Sequence, residues 1–176
     1  LPESLFAIQI VPPYVVALFA RLVGASTSTA FIALLAIAGL LTSLSLFWLF
    51  NSLTSDRNFA AFAILFVLCF GALAGGHGIV GLLWTSQSKF LGLPFLRRYE
   101  PAAPIPLFFI FITLIWQALT SQKKRTANLK ALVAGAILSV LIFSYFYLWT
   151  AAAAWVVCFG GLWIALRRNE ARTTIR

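Results

Sequence analysis

Ionisable side chains are so scarce in this sequence that the few present define where chemistry is possible. The densest mixed group lies in residues 85–103, which hold Lys89, Arg97, Arg98 and Glu100 among aromatic and small residues. Lys89, Arg97 and Arg98 carry the charge needed to clamp phosphate or pyrophosphate oxygens, and each arginine can do so with two parallel hydrogen bonds. Phe90, Phe95 and Tyr99 are interleaved with these cations. Such rings suit stacking on a sugar or lining a lipid path. Glu100 is the one carboxylate of the stretch, a candidate general base or a hydrogen-bond partner for hydroxyl groups. His77, flanked by Gly75, Gly76 and Gly78, is the second candidate catalytic group, because an ionisable residue inside an apolar run is a functional candidate. Each has a plainer reading beside it. Residues 85–103 also suit a membrane anchor, with cations on headgroups and rings at the interface. His77 also suits the outer end of a helix, where imidazole reaches headgroups at small cost.

Most other chemistries lack their residues. A single His and two scattered cysteines do not make a zinc site. Cys69 and Cys158 both sit in apolar runs, where a thiol behaves as a small hydrophobe. The sequence has no phosphate-binding loop, dinucleotide fingerprint, nucleophile elbow or internal repeat. It also lacks the paired acidic residues of an ion-coupled carrier and a filter-like channel sequence.

The elements that must position these residues follow from composition. Of 176 residues, 62% are apolar and 10% charged, with a mean hydropathy of +0.99. A soluble domain carries about a quarter charged residues, and a disordered chain needs low hydrophobicity. The expected fold class is therefore all-α, a polytopic transmembrane helical domain forming a single unit over 1–176. There is no methionine. The expectation is an interior or C-terminal piece of a longer protein, with Leu1 following a cleaved or missing stretch.

The net charge of +9 would point to nucleic acid in a soluble protein, but here its distribution marks topology. Residues 1–29 and 51–58 are each neutral, whereas 85–103, 120–130 and 167–176 carry +2, +4 and +3. Between them lie long uncharged runs, and a membrane helix needs about 20 apolar residues. Spans are expected at about 30–50, 59–84 and 104–120. Residues 131–166 would make one helix of ~54 Å, far beyond a ~30 Å hydrocarbon core. They divide into 131–147 and 150–166, with a turn at Leu148, Trp149 and Thr150 inside an aromatic belt. A hairpin there puts the +4 loop and the basic tail 167–176 together on the cytoplasmic side, as the positive-inside rule asks. Residues 85–103 then face outward. Pro12 and Pro13 interrupt any long helix in 1–29, so that segment either lies as an interfacial helix on the outer leaflet, the favoured reading, or crosses as a sixth span.

A resemblance can be set beside these readings. Pro12-Pro13-Tyr14, a short apolar helix, Arg21-Leu22-Val23-Gly24, a Ser/Thr turn and a long span together resemble GT-C-type membrane glycosyltransferases, which use polyprenyl-phosphate-linked sugars. They resemble the region after the first large extracytoplasmic loop of that superfamily. The short loop Asn51–Asn58, the run Arg97-Arg98-Tyr99-Glu100-Pro101, and the span from Ala134-Gly135 to Tyr145-Phe146-Tyr147 also resemble middle spans of bacterial members and of related uncharacterised polytopic proteins. The resemblance implies a bacterial inner-membrane location, a sugar carried on a polyprenyl phosphate, and a divalent metal in the intact protein. It also implies a main catalytic carboxylate upstream of Pro12. Only Glu3 stands there, outside any matching acidic motif, and Val11 occupies a place where His or Lys is typical.

The expected function is part of a GT-C-like glycosyltransferase working at the extracytoplasmic face. Lys89, Arg97 and Arg98 would neutralise the phosphate, Phe95 and Tyr99 would line the path, and Glu100 or His77 would assist. Expected partners are membrane lipids and the polyprenyl-phosphate sugar, with no nucleic acid. The alternative is a non-enzymatic lipid or polyisoprenoid carrier, or a structural subunit of an envelope-assembly complex. It needs no missing carboxylate.

Overall fold

The structure, a computed structural model, describes residues 10–74 and 102–174. Among these residues there are six helices and no strand: α1 Val11–Val23, α2 Thr27–Thr54, α3 Arg57–Ala74, α4 Ile105–Thr120, α5 Lys124–Ile142 and α6 Phe146–Thr174. The chain is an all-α polytopic transmembrane domain. Three of its helices are long and apolar enough to cross a membrane: α2, α5 and the Phe146–Leu166 part of α6. Shorter apolar stretches occupy α1, α3 and α4.

Local chemistry sets the helix ends. Pro12 and Pro13 do not exclude a helix at α1 but open it, since their missing N–H groups fall in a first turn that has no intrahelical acceptors. Gly24 ends α1 at φ 67°, and the N–H groups of Gly24 and Ala25 both reach the Ala20 carbonyl. Ser26 then caps α2, its Oγ accepting from the Thr29 N–H at 3.2 Å. The α2–α3 turn needs Ser55 in the left-handed region, at φ 58°. Asp56 closes it by accepting from the Asn58 and Phe59 N–H groups at 2.8 and 3.2 Å, which supplies α3 with its cap.

α4 is the centre of the bundle. It packs against α2 on one side and against α5 and α6 on the other, and it buries Phe111, Thr113 and Leu114. Leu141 of α5 and Ala152 of α6 complete that core. α2 presents Ala38, Thr42, Ser45, Leu46 and Leu49 inward, and its small residues let helices approach closely where apolar burial supplies no net drive. The buried hydroxyls are satisfied within their own helices. Thr42 donates to the Ala38 carbonyl at 2.7 Å, Ser45 to Thr42 at 2.9 Å, and Thr113 to Phe109 at 2.8 Å. Outward, Leu22, Ile32, Phe62, Leu132, Val157 and Ile164 are exposed. Rings and aliphatic chains on this scale would be costly against water and are neutral against lipid tails.

Contacts at the helix ends fix the direction of each pass. Ser52, near the end of α2, is held by Trp116 and Gln117, near the end of α4. The rings of Phe159 and Trp163 on α6 pack against Trp116 at 5.9 and 6.2 Å. The α2–α3 turn, the α4–α5 turn and the later half of α6 therefore share one end. At the other end Val16 of α1 and Ala30 of α2 pack with Ala103, just before α4. α2, α4 and α6 run away from this second end, and α3 and α5 run back towards it. Five alternating passes result, in accord with five spans. α1 has 13 residues, ~20 Å of helix, and is by itself too short to cross a ~30 Å core.

Several boundaries differ from the sequence expectation, and α5 already begins at Lys124, within the stretch expected as a basic loop. The break between the last two passes lies at Phe143, Ser144 and Tyr145, not at residues 148–150. Ser144 and Tyr145 both donate their N–H to the Leu141 carbonyl, at 3.1 and 3.2 Å, while Ser144 Oγ donates to Val140 O at 2.6 Å. Ser144 Oγ thus takes a carbonyl released at the end of α5, whereas Thr150, in the expected turn, donates within α6 to Phe146 O and Tyr147 O. α6 also continues as helix past residue 166 to Thr174, so the basic tail begins as a helical extension.

Candidate functional site

His77, Lys89, Phe95, Arg97, Arg98, Tyr99 and Glu100, the candidates named from sequence, all lie outside the described residues. The described chain meets their segment at Ala74, where α3 ends, and at Ala102, just before α4. The site can therefore be built from the structure that receives the segment at α4.

That structure is a junction of three elements distant in sequence. The first N–H of α1, on Val11, donates to the carbonyl of Phe143 at 3.2 Å. It joins a helix start that lacks an acceptor to a helix end that lacks a donor, with the two macrodipoles favourably opposed. The break at 143–145 releases helix-end carbonyls, and protein groups take them. Val140 O is taken by Ser144 Oγ, Leu141 O by two N–H groups, and Phe143 O by α1.

Between these elements lies a pocket of about 110 Å³, lined by Val11, Pro12, Val15, Ala103, Pro104, Leu107 and Ser144. Pro12 and Pro104 are rigid and fully buried. Ser144 is the one polar lining residue, and its hydroxyl proton is already committed to Val140 O. A bound water needs two to four polar partners, and an apolar cavity without them stays dry and takes apolar ligands. By chemistry the pocket suits an apolar group. Ala103, one of its lining residues, ends the segment that carries Arg97, Arg98, Tyr99 and Glu100.

The opposite end carries a polar lock that sequence reasoning missed. Trp116 Nε1 donates to the Ser52 carbonyl at 3.2 Å, and Gln117 Nε2 meets Ser52 Oγ at 2.8 Å. Ser52 belongs to the last turn of α2, whose carbonyls lack intrahelical donors. Trp155, Phe159 and Trp163 form a ladder on one face of α6, the first two stacked at 4.8 Å. The available signal was a Trp-Gln pair at the polar end of a span and aromatics spaced four apart. Among the described residues no group of three or more His, Cys, Asp or Glu could hold a metal.

Comparison with protein families, with curated proteins and with solved structures finds no match for this chain.

Proposed function

We propose that the chain is the membrane domain of a GT-C-like glycosyltransferase which holds a polyprenyl-phosphate-linked sugar at the extracytoplasmic face of a bacterial inner membrane. The observation that carries this reading is the apolar pocket beside the start of α4, lined by Ala103 at the end of a segment with three cations. A polyprenyl phosphate is a hydrocarbon chain joined to a phosphate. The chain would lie against Val15, Pro104 and Leu107, and the phosphate would meet Lys89, Arg97 and Arg98. Arginine forks would stabilise the leaving phosphate as charge develops on it. Tyr99 and Phe95 would flank the sugar. Glu100 or His77 would assist proton transfer.

The apolar lining of the pocket also favours the second reading, a non-enzymatic polyisoprenoid carrier or envelope-assembly subunit, because it recognises chain and not sugar. One pair of measurements separates the readings. The purified protein is titrated with a polyprenyl monophosphate carrying a photoreactive chain end, beside Arg97→Gln/Arg98→Gln and Leu107→Trp variants. Labelling of α1 and α4 that falls with Leu107→Trp, and affinity that falls with the arginine pair, supports lipid-phosphate holding. Affinity unchanged by the arginine pair reduces residues 85–103 to an anchor. Transfer of a radiolabelled sugar from its polyprenyl phosphate to an acceptor, by the protein in its full-length form, distinguishes enzyme from carrier.

A further inference from the structure

The end of the bundle away from the pocket gathers cations that lack a carboxylate partner among the described residues. Arg57 opens α3, Lys123 and Lys124 lead into α5, and Arg125 and Lys130 follow on α5. The Ser52–Gln117 bond brings the two turns that bear these residues to the same end. Asp56 is the only carboxylate in these turns, and its Oδ1 is occupied by the Asn58 and Phe59 N–H groups. Among the described residues none of the five cations forms an ion pair. Arg57, Lys123, Lys124 and Arg125 are all exposed.

This arrangement is unfavourable in isolation. Three consecutive cations repel one another, and they stand at the helix end where the macrodipole is positive. The first turn of α5 contains no acidic residue to offset them. No carboxylate among the described side chains offsets them, so an external anion is a ready counter-charge. Apolar passes end here in Ser121, Gln122 and Lys123, which puts the cations at headgroup level. The anion available at that level is lipid phosphate.

We propose that Lys123, Lys124 and Arg125, with Arg57 beside them, form a binding surface for anionic phospholipid headgroups, separate from the pocket at the opposite end. Each Lys or Arg near an anionic membrane surface strengthens attraction by ~1 kcal/mol, or about 5-fold. Neutralising three of them weakens retention roughly 100-fold. The lipid serves as the missing counter-ion of the α4–α5 turn and fixes the depth at which this end rests.

The test uses the purified full chain in neutral detergent, where orientation in a membrane has no influence. The protein is incubated with equal phosphatidylglycerol and phosphatidylcholine, washed, and its retained lipids are counted. The expected result is an excess of phosphatidylglycerol that vanishes in Lys123→Gln/Lys124→Gln/Arg125→Gln and falls steeply for the unmodified chain in 1 M salt. The salt arm keeps the proposal testable if the triple variant misfolds. Equal retention of the two lipids, or an excess that survives both the triple variant and salt, overturns it. Capture of a poly-glutamate peptide in place of phosphatidylglycerol also overturns it and assigns the surface to an acidic protein.

Discussion

Trp116 offers the sharpest test of how the passes are held together, because its two kinds of contact can be removed separately. Trp116→Phe deletes the indole N–H that reaches the Ser52 carbonyl at 3.2 Å but keeps a ring against Phe159 and Trp163. Interhelical hydrogen bonds in membrane proteins average ~0.6 kcal/mol, with a maximum near ~1.7. Because Ser52 O belongs to a helix end and lacks an intrahelical donor, a loss of about 1 kcal/mol is expected. Trp116→Ala removes the ring as well. Two aromatic pairs at ~0.5–1.5 kcal/mol each, added to lost packing at a half-buried site, bring its loss to about 2–3 kcal/mol. Gln117→Leu and Ser52→Ala, combined in a double-mutant cycle, isolate the 2.8 Å side-chain bond and should couple by ~0.6 kcal/mol. The assay is unfolding in mixed micelles with rising denaturing detergent, followed by far-UV circular dichroism so that losing a tryptophan does not alter the probe. If Trp116→Phe is as damaging as Trp116→Ala, the ring contacts contribute nothing. If Gln117 and Ser52 do not couple, the lock is not a lock.

Three further outcomes are expected. Ser55→Gly should stabilise the protein by about 0.5–1 kcal/mol in the same assay, since Ser55 holds φ 58° and glycine relieves more strain than its added chain entropy costs. Leu141→Ala should cost ~2–5 kcal/mol, because Leu141 is fully buried in the core around α4; a loss below 1 kcal/mol would mean that this core is not packed as described. Cysteines placed at Ser88 and Ser121 should label from opposite sides of sealed vesicles, and labelling from one side would refute the alternation of passes.

How much of this was legible in the sequence varies with the type of signal. Pass number and helix type followed from apolar run length and charge spacing, which depend on the solvent and little on neighbours. Ser43, Ser45, Ser139 and Ser144 donate within their own helices, because a hydroxyl in hydrocarbon has few other acceptors. The break at 143–145 was not legible, since aromatic residues run from Phe143 to Trp149 and mark an interface without choosing a residue. Its last carbonyl, on Phe143, is met by the Val11 N–H of α1, a contact across most of the chain. The pocket was invisible for the same reason. Val11, Pro12, Leu107 and Ser144 carry no chemical signature, and only tertiary packing brings them together. The charged candidates in 77–100 stood out by type and spacing alone, and the described residues show only the end of α4 to which they connect.

The bond from Val11 to Phe143 joins the start of the described chain to its last hairpin. A membrane protein is inserted from its amino-terminal side as it is synthesised, so the partner of α1 is made after every other pass except α6 itself. Closing so long a loop carries an entropy cost that grows only slowly with length, but it delays the contact until the intervening passes are in place. α1 thus seats on α2 early, and only its tie to Phe143 waits for the later passes. That tie marks a finished α5, and a chain stopped before residue 143 would hold α1 by α2 and Ala103 alone.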